Sequence, residues 1–163
     1  MDKKERFIAA IAESEGFIYK LASTYTSTAT DQRDLVQEII YQLWKSFHTF
    51  SEQSKLGTWI YRVALNTAVY QLRQSKKQVQ TITIDEQVLS HTDAGTSHEE
   101  EKWNLLRQQI ETLNLLDKGI VMLYLEGKSH DEIADITGIS KSNVGTRLQR
   151  IKEKIKQRIS KQP

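Results

Sequence analysis

Cysteine is absent from this 163-residue chain, and proline occurs once, at the last position. Without cysteine there is no disulfide, no thiol nucleophile and no zinc site built on thiolates. A cysteine-free chain fits the reducing cytoplasm. With one terminal proline and 7 glycines, little interrupts a helix. Strand-like stretches are nearly missing: Gln78 to Ile84 is the only β-branched run, and it is short. No apolar run is long enough to cross a bilayer, so membrane insertion is not expected. The opening MDKKERFIAAIAESEGF is charged and periodic, unlike a signal peptide. What remains is 38 % apolar, enough to bury a core, and it reads as all-α.

The net charge is only +2, but it is unevenly spread. Between Asp85 and Glu101 there are acidic residues and no Lys or Arg. From Ser140 onward Lys141, Arg147, Arg150, Lys152, Lys154, Lys156, Arg158 and Lys161 face Glu153 alone. A basic terminal helix is an electrostatic footprint for nucleic acid, although a solvated helix face has the same composition.

Hydrophobic spacing divides the chain into two helical blocks and a polar linker. In the first block a helix carries Phe7, Ile8, Ile11, Phe17, Ile18 and Leu21, and Thr24 to Thr30 is a loop. A second helix opens near Asp31 with a wide stripe of Leu35, Val36, Ile39, Ile40, Leu43, Trp44 and Phe47. His48 to Lys55 reads as a loop, and a third helix runs from about Leu56 to Ser75. Gln74 to Ser97 is polar and aperiodic, a flexible linker with room for a short strand or helical turn near Ile82 to Leu89. Ser97 and Glu100 have capping-box spacing and open the second block. A helix from about Leu116 to Glu126 ends at Gly127.

The densest signal is HDEIADITGISKSNVGTRLQR. Ser129 and Glu132 form a second capping box, and Gly138 breaks the short helix they open. Ser140 then caps a long helix reaching about Ile159. Ala134 is small where two helices must cross. Gly138 suits a turn that needs positive φ. Ile133, Ile139, Val144 and Leu148 would bury the junction. This is the pattern of a DNA-binding helix-turn-helix; the plainer alternative is an αα-hairpin in a bundle. With Val144 and Leu148 inward, Ser140, Lys141, Ser142, Asn143, Thr146, Arg147, Arg150 and Lys154 become candidate duplex-DNA ligands. Arg147 suits a base edge or a phosphate, and Lys141, Arg150 and Lys154 suit the backbone.

The first block carries two more constellations. Asp34, Gln37, Glu38 and Gln42 form a polar face beside Leu35 and Tyr41, which are read as exposed and able to dock a partner helix. A plain amphipathic helix explains the same residues. The third helix interleaves Trp59, Tyr61 and Tyr70 with Arg62, Asn66, Arg73, Lys76 and Lys77. Rings stack on bases while cations track phosphates, as single-stranded nucleic acid requires. Arg62, Asn66, Val69 and Arg73 share one face, whereas Trp59 taken alone reads as core.

In order and spacing, DQRDLVQEIIYQLWKSFHTF, GTWIYRVALNTAVYQLRQ and LYLEGKSHDEIADITGISKSNVGTRLQRIKEKIK resemble an extracytoplasmic-function (ECF) sigma factor of bacterial RNA polymerase. The resemblance spans nearly the whole chain. It implies two small helical domains joined by a flexible linker: sigma-2 over 1–76, a linker over 77–97, and a helix-turn-helix (winged-helix-like) sigma-4 domain over 98–163. It implies core RNA polymerase as a partner, with its β′ clamp helices on Asp34, Leu35, Gln37, Glu38 and Tyr41, and its β flap. It implies promoter DNA: a flipped minus-ten base near the Phe47 to Leu56 loop, and the non-template strand along Trp59, Arg62, Asn66 and Arg73. The minus-thirty-five duplex would meet the helix from Ser140. An anti-sigma factor is a partner of many members. Asn114-Leu115-Leu116 departs from the usual proline-containing entry to sigma-4, and Gly145-Thr146 departs from the usual larger or basic residues.

Two other readings compete. One is a dimeric helix-turn-helix regulator of duplex DNA. The other is an enzyme, but His48, His91, His98 and His130 lie far apart, and no metal motif, phosphate loop or nucleophile–base pair is visible. Neither a cofactor, a metal nor catalysis is expected.

Overall fold

The computed structural model describes residues 2–50, 55–79 and 98–160. Among them every regular element is helical: α1 (Lys3–Tyr25), α2 (Ala29–Ser46), a 3-10 turn (Phe47–Thr49), α3 (Leu56–Val79), α4 (His98–Glu111), α5 (Leu115–Leu125), α6 (His130–Thr137) and α7 (Lys141–Ser160). The all-α expectation holds, and the described part of the second block carries no wing. The Ile82 to Leu89 segment and the Ser97 half of the first expected capping box lie outside the described residues.

Caps decide most boundaries. The Asp2 side chain accepts from Glu5 N, and Glu5 returns the bond, so α1 starts at once. Thr28 accepts from Asp31 N at 3.0 Å, which opens α2 two residues before the expected start. Asn114 accepts from Asp117 N at 2.9 Å, so α5 needs no proline at its entry. Gly127 and Gly138 have φ of 89° and 83°, left-handed values that cost glycine nothing.

α1, α2 and α3 pack around Phe17, Ile18, Leu21, Ile39, Leu43, Ile60 and Ala64. This core does not stop at the block boundary. It continues through Ile120, Leu123, Ile133, Ile136, Val144 and Leu148 of α5, α6 and α7. A smaller satellite of Ile110, Leu113, Val121 and Ile151 ties α4 and α5 to α7. The two blocks are thus closed against one another along a seam between α1 and α3 on one side and α4, α5 and α6 on the other.

Candidate nucleic-acid and polymerase interfaces

The helix-turn-helix is α6, the Gly138 turn and α7. Ser129 accepts from Glu132 N at 3.2 Å and its own N–H donates to the Glu132 carboxylate, completing the box. The Ser129 hydroxyl also donates to that carboxylate at 3.1 Å, and the bonds from the Ser129 backbone and hydroxyl hold the Glu132 carboxyl below its ordinary range. Gly138 N donates to Ala134 O at 2.8 Å, closing α6. Ser140 Oγ accepts from Asn143 N at 3.0 Å and starts α7. Val144 and Leu148 are buried, which fixes the rotation of α7 and turns Lys141, Ser142, Asn143, Thr146, Arg150 and Lys154 to solvent. Gly145 faces α6: a Cβ there would stand 3.7 Å from His130 Nδ1, ordinary contact. A small residue suits that crossing without being demanded by it.

Arg147 departs from this open face. It is half-buried, with Nη1 donating to Asp117 Oδ1 at 2.9 Å and Nε to Asn143 Oδ1 at 3.2 Å. Lys141 pairs with Asp131 at 3.3 Å, but at the surface, where such a pair is weak.

The α3 track is presented differently. Asn66 and Arg73 are exposed. Arg62 is half-buried beside α6, where its guanidinium donates to the carbonyl of Asp135. Beside it, Lys128 Nζ lies 4.6 Å from the Tyr61 ring centroid. Burial and then the Glu126 and Glu132 charges push the Tyr61 phenol pKa up. Further along the seam the Tyr25 hydroxyl donates to Leu115 O. Tyr25 is held neutral well above the ordinary tyrosine range, chiefly by burial, with Asp117 adding to the shift and the Gly119 backbone opposing it. Gly119 allows the close approach: a Cβ there would stand 2.5 Å from Leu65 Cδ1, so that side chain would have to shift. Trp59 belongs to an aromatic cluster, 6.1 Å from Phe47 and 5.3 Å from Phe50 by ring centroid.

On α2, Asp34, Gln37 and Tyr41 are exposed, and Glu38 is half-buried, accepting from Gln42 at 2.9 Å. Leu35 corrects the expectation: it is buried at 6 % exposure, because it shares the inward stripe with Val36 and Ile39. Trp44, placed in that stripe by periodicity, is instead 52 % exposed. Between α2 and α3 lies a groove of about 410 Å³, with Asp31, Asp34 and Glu38 on one wall and Gln71, Leu72 and Ser75 on the other. Residues 51–54, at the centre of the expected flipped-base loop, lie outside the described residues.

Comparison with known proteins decides the family. Sigma-70 region 2 matches residues 10–78, and Sigma-70 region 4 matches residues 103–155. The chain belongs to the sigma-70 family, as an ECF-type RNA polymerase sigma factor.

Among its relatives is RNA polymerase sigma factor SigV of Bacillus subtilis, 28 % identical over 90 % of this chain and 87 % of the relative. The ECF RNA polymerase sigma-E factor of Haemophilus influenzae is 27 % identical over 96 % of this chain and 88 % of the relative. The fold matches the sigma factor RpoE of Bartonella quintana, solved with the anti-sigma factor NepR, with a TM-score of 0.73 at 18 % identity, covering 98 % of each chain. It also matches CnrH, solved with the cytosolic domain of CnrY, with a TM-score of 0.72 at 16 % identity, covering 98 % of this chain and 91 % of that one. Sigma factors are non-enzymatic initiation factors, and the dimeric-regulator alternative is not favoured. Among the described residues no group of His, Cys, Asp or Glu is arranged to hold a metal, and no helix is long and apolar enough to cross a membrane.

Proposed function

We propose that this sigma factor divides promoter recognition between its two blocks, with residues 1–76 acting as sigma-2, 77–97 as linker and 98–163 as sigma-4. The observation that carries this reading is the open cationic face of α7 on a correctly capped helix-turn-helix. An α-helix so presented fits the major groove of the minus-thirty-five duplex. Ser142, Asn143 and Thr146 stand nearest its N-terminus, for base edges, while Ser140, Lys141, Arg150 and Lys154 neutralise phosphates. Arg147 joins them by exchanging Asp117 for DNA.

Trp59, Arg62, Asn66 and Arg73 would line the melted non-template strand at the minus-ten element, rings stacking and cations tracking phosphates. For Arg62 this requires α6 to leave α3, so core and promoter binding proceed from an opened molecule. The acidic groove of Asp34 and Glu38, with Gln37 and Tyr41 on its outer side and Leu35 at its floor, suits the β′ clamp helices of core polymerase, and the second block suits the β flap. An anti-sigma factor that holds the blocks closed is a fitting inhibitor. These tasks belong to the cytoplasm.

The test is reconstitution. The purified chain should co-elute with core polymerase and direct run-off transcription from a subset of promoters. Glu38→Gln should weaken core binding, and Arg62→Gln should weaken initiation while leaving core binding in place. Failure to co-elute with core would remove the main support for the reading.

A further inference from the structure

The aromatic cluster beneath Trp59 has a second outlet, remote from the seam. There the first turn of α1, the last turn of α2 and the 3-10 turn enclose about 440 Å³ lined by Lys3, Lys4, Trp44, Lys45, Phe47 and His48. Among the described residues no carboxylate lines it. Asp2 and Glu5, the adjacent acids, are engaged with each other's backbone N–H groups in the α1 cap. Trp44 rests on Phe7, with ring centroids 5.3 Å apart, and leaves about half its surface open. Lys3 Nζ lies 5.4 Å from the Phe47 ring centroid. An exposed indole in a pocket also lined by Lys3, Lys4 and Lys45, the last with its Nζ 6.0 Å from the Tyr41 ring centroid, matches a flat, anionic ligand: the ring offers a stacking face and the ammonium groups take phosphates.

The pocket is joined to the proposed strand track through packed rings, of which Phe7 and Phe47 are buried. Phe47 and Phe50 are stacked at 6.5 Å with their planes 10° apart, and Phe50 meets Trp59 at 5.3 Å. The row Trp44–Phe7–Phe47–Phe50–Trp59 therefore runs unbroken from this pocket to the start of α3.

We propose that the pocket of Lys3, Lys4, Trp44, Lys45 and His48 is a further single-stranded DNA subsite, in which Trp44 stacks a base and the lysines hold its flanking phosphates. The proposal rests on the reading of α3 as a strand track and extends that track beyond Trp59. Stacking on one indole discriminates little among bases, so the subsite adds affinity for opened DNA without adding a sequence requirement. Lying outside the seam, it is accessible with the blocks closed.

The experiment binds reconstituted holoenzyme to a promoter duplex carrying a mismatched bubble, and to the same duplex fully paired, across a salt series. The doubly substituted Lys3→Gln, Lys4→Gln chain should bind the bubble several-fold more weakly. Its slope of log affinity against log salt should become shallower by about 1.4, roughly 0.7 for each single-strand phosphate that is no longer neutralised. Trp44→Ala should cost about tenfold on the bubble, while Trp44→Phe, which keeps a ring on Phe7, should retain most of the affinity. Lys102→Gln, the loss of one lysine charge on the surface of α4, should alter nothing. Unchanged affinity and slope in the lysine variant would overturn the proposal. So would lost association with core polymerase, which would assign this face to a protein partner. A wild-type holoenzyme that bound paired and opened duplex equally would overturn the strand track itself and this extension with it.

Discussion

The faces of α7 and α3 are both cationic helix surfaces, yet the fold presents them in opposite ways. On α7 the buried pair Val144 and Leu148 turns Ser142, Asn143, Thr146 and Arg150 outward, and nothing among the described residues of the first block covers them. On α3 the inward residues Ile60, Ala64 and Leu65 serve two neighbours at once, and α6 lies over Arg62. A helix exposes one side freely only when its apolar stripe meets a single neighbouring layer. The difference is between a face wholly open in the closed molecule and one on which Arg62 is engaged by α6 while Asn66 and Arg73 stay exposed.

The comparison can be broken first on the open side. Leu148→Ala should leave a cavity at the α6–α7 junction, costing about 2–5 kcal/mol of stability, and should abolish duplex binding by letting α7 rotate. Thermal unfolding and duplex affinity measured together check it; a normal melting temperature with normal affinity would contradict the packing described. On the covered side, Gly119→Leu places a side chain against Leu65 and Tyr25 and should destabilise the closed seam by about 1–3 kcal/mol. The blocks should separate, seen as a larger radius of gyration in solution scattering, and single-strand affinity should rise as Arg62 is uncovered. An unchanged radius would show that the seam yields locally.

That α6 opens a helix-turn-helix was legible in the sequence; its contact with α3 was not. Ser129, Glu132, Gly138 and Ser140 act within a few residues of themselves, so spacing alone exposes them. Gly119 and Leu65, or Arg62 and Asp135, meet only because two apolar stripes meet, and nothing local records that. Arg147 shows the same limit. Its outward position followed from helix period, but its bond to Asp117 spans 30 residues of sequence and was invisible. Leu35 and Trp44 exchange their expected burial because a wide stripe does not say where its edge lies.

Two smaller changes sharpen the contrast. Asp117→Asn should weaken the link to Arg147 by about 1 kcal/mol and raise duplex affinity a few-fold as that guanidinium is released. Unchanged affinity in a binding titration would leave Arg147 a bracing residue between α5 and α7. Tyr25→Phe removes the bond to Leu115 O and should cost about 0.5–1.5 kcal/mol by denaturant unfolding. Burial raises the Tyr25 pKa in the folded state. Its contribution is therefore complete below the unfolded value near 10 and is lost as pH rises toward the folded one. Wild type should weaken in that alkaline window and Tyr25→Phe should weaken less, the remainder coming from Tyr61, whose shift has the same sign. Identical alkaline limbs would remove Tyr25 from the account.

The seam has a thermodynamic consequence for whatever separates the blocks. A ligand that needs Arg62 uncovered binds with an affinity scaled down by the open fraction, so each 1.4 kcal/mol of closure costs it about a factor of ten. The relation is reciprocal: whatever opens the seam strengthens strand binding by the same factor, and strand binding strengthens its hold in return. The close contact between Gly119 and Leu65 is thereby a point at which side-chain volume sets that threshold.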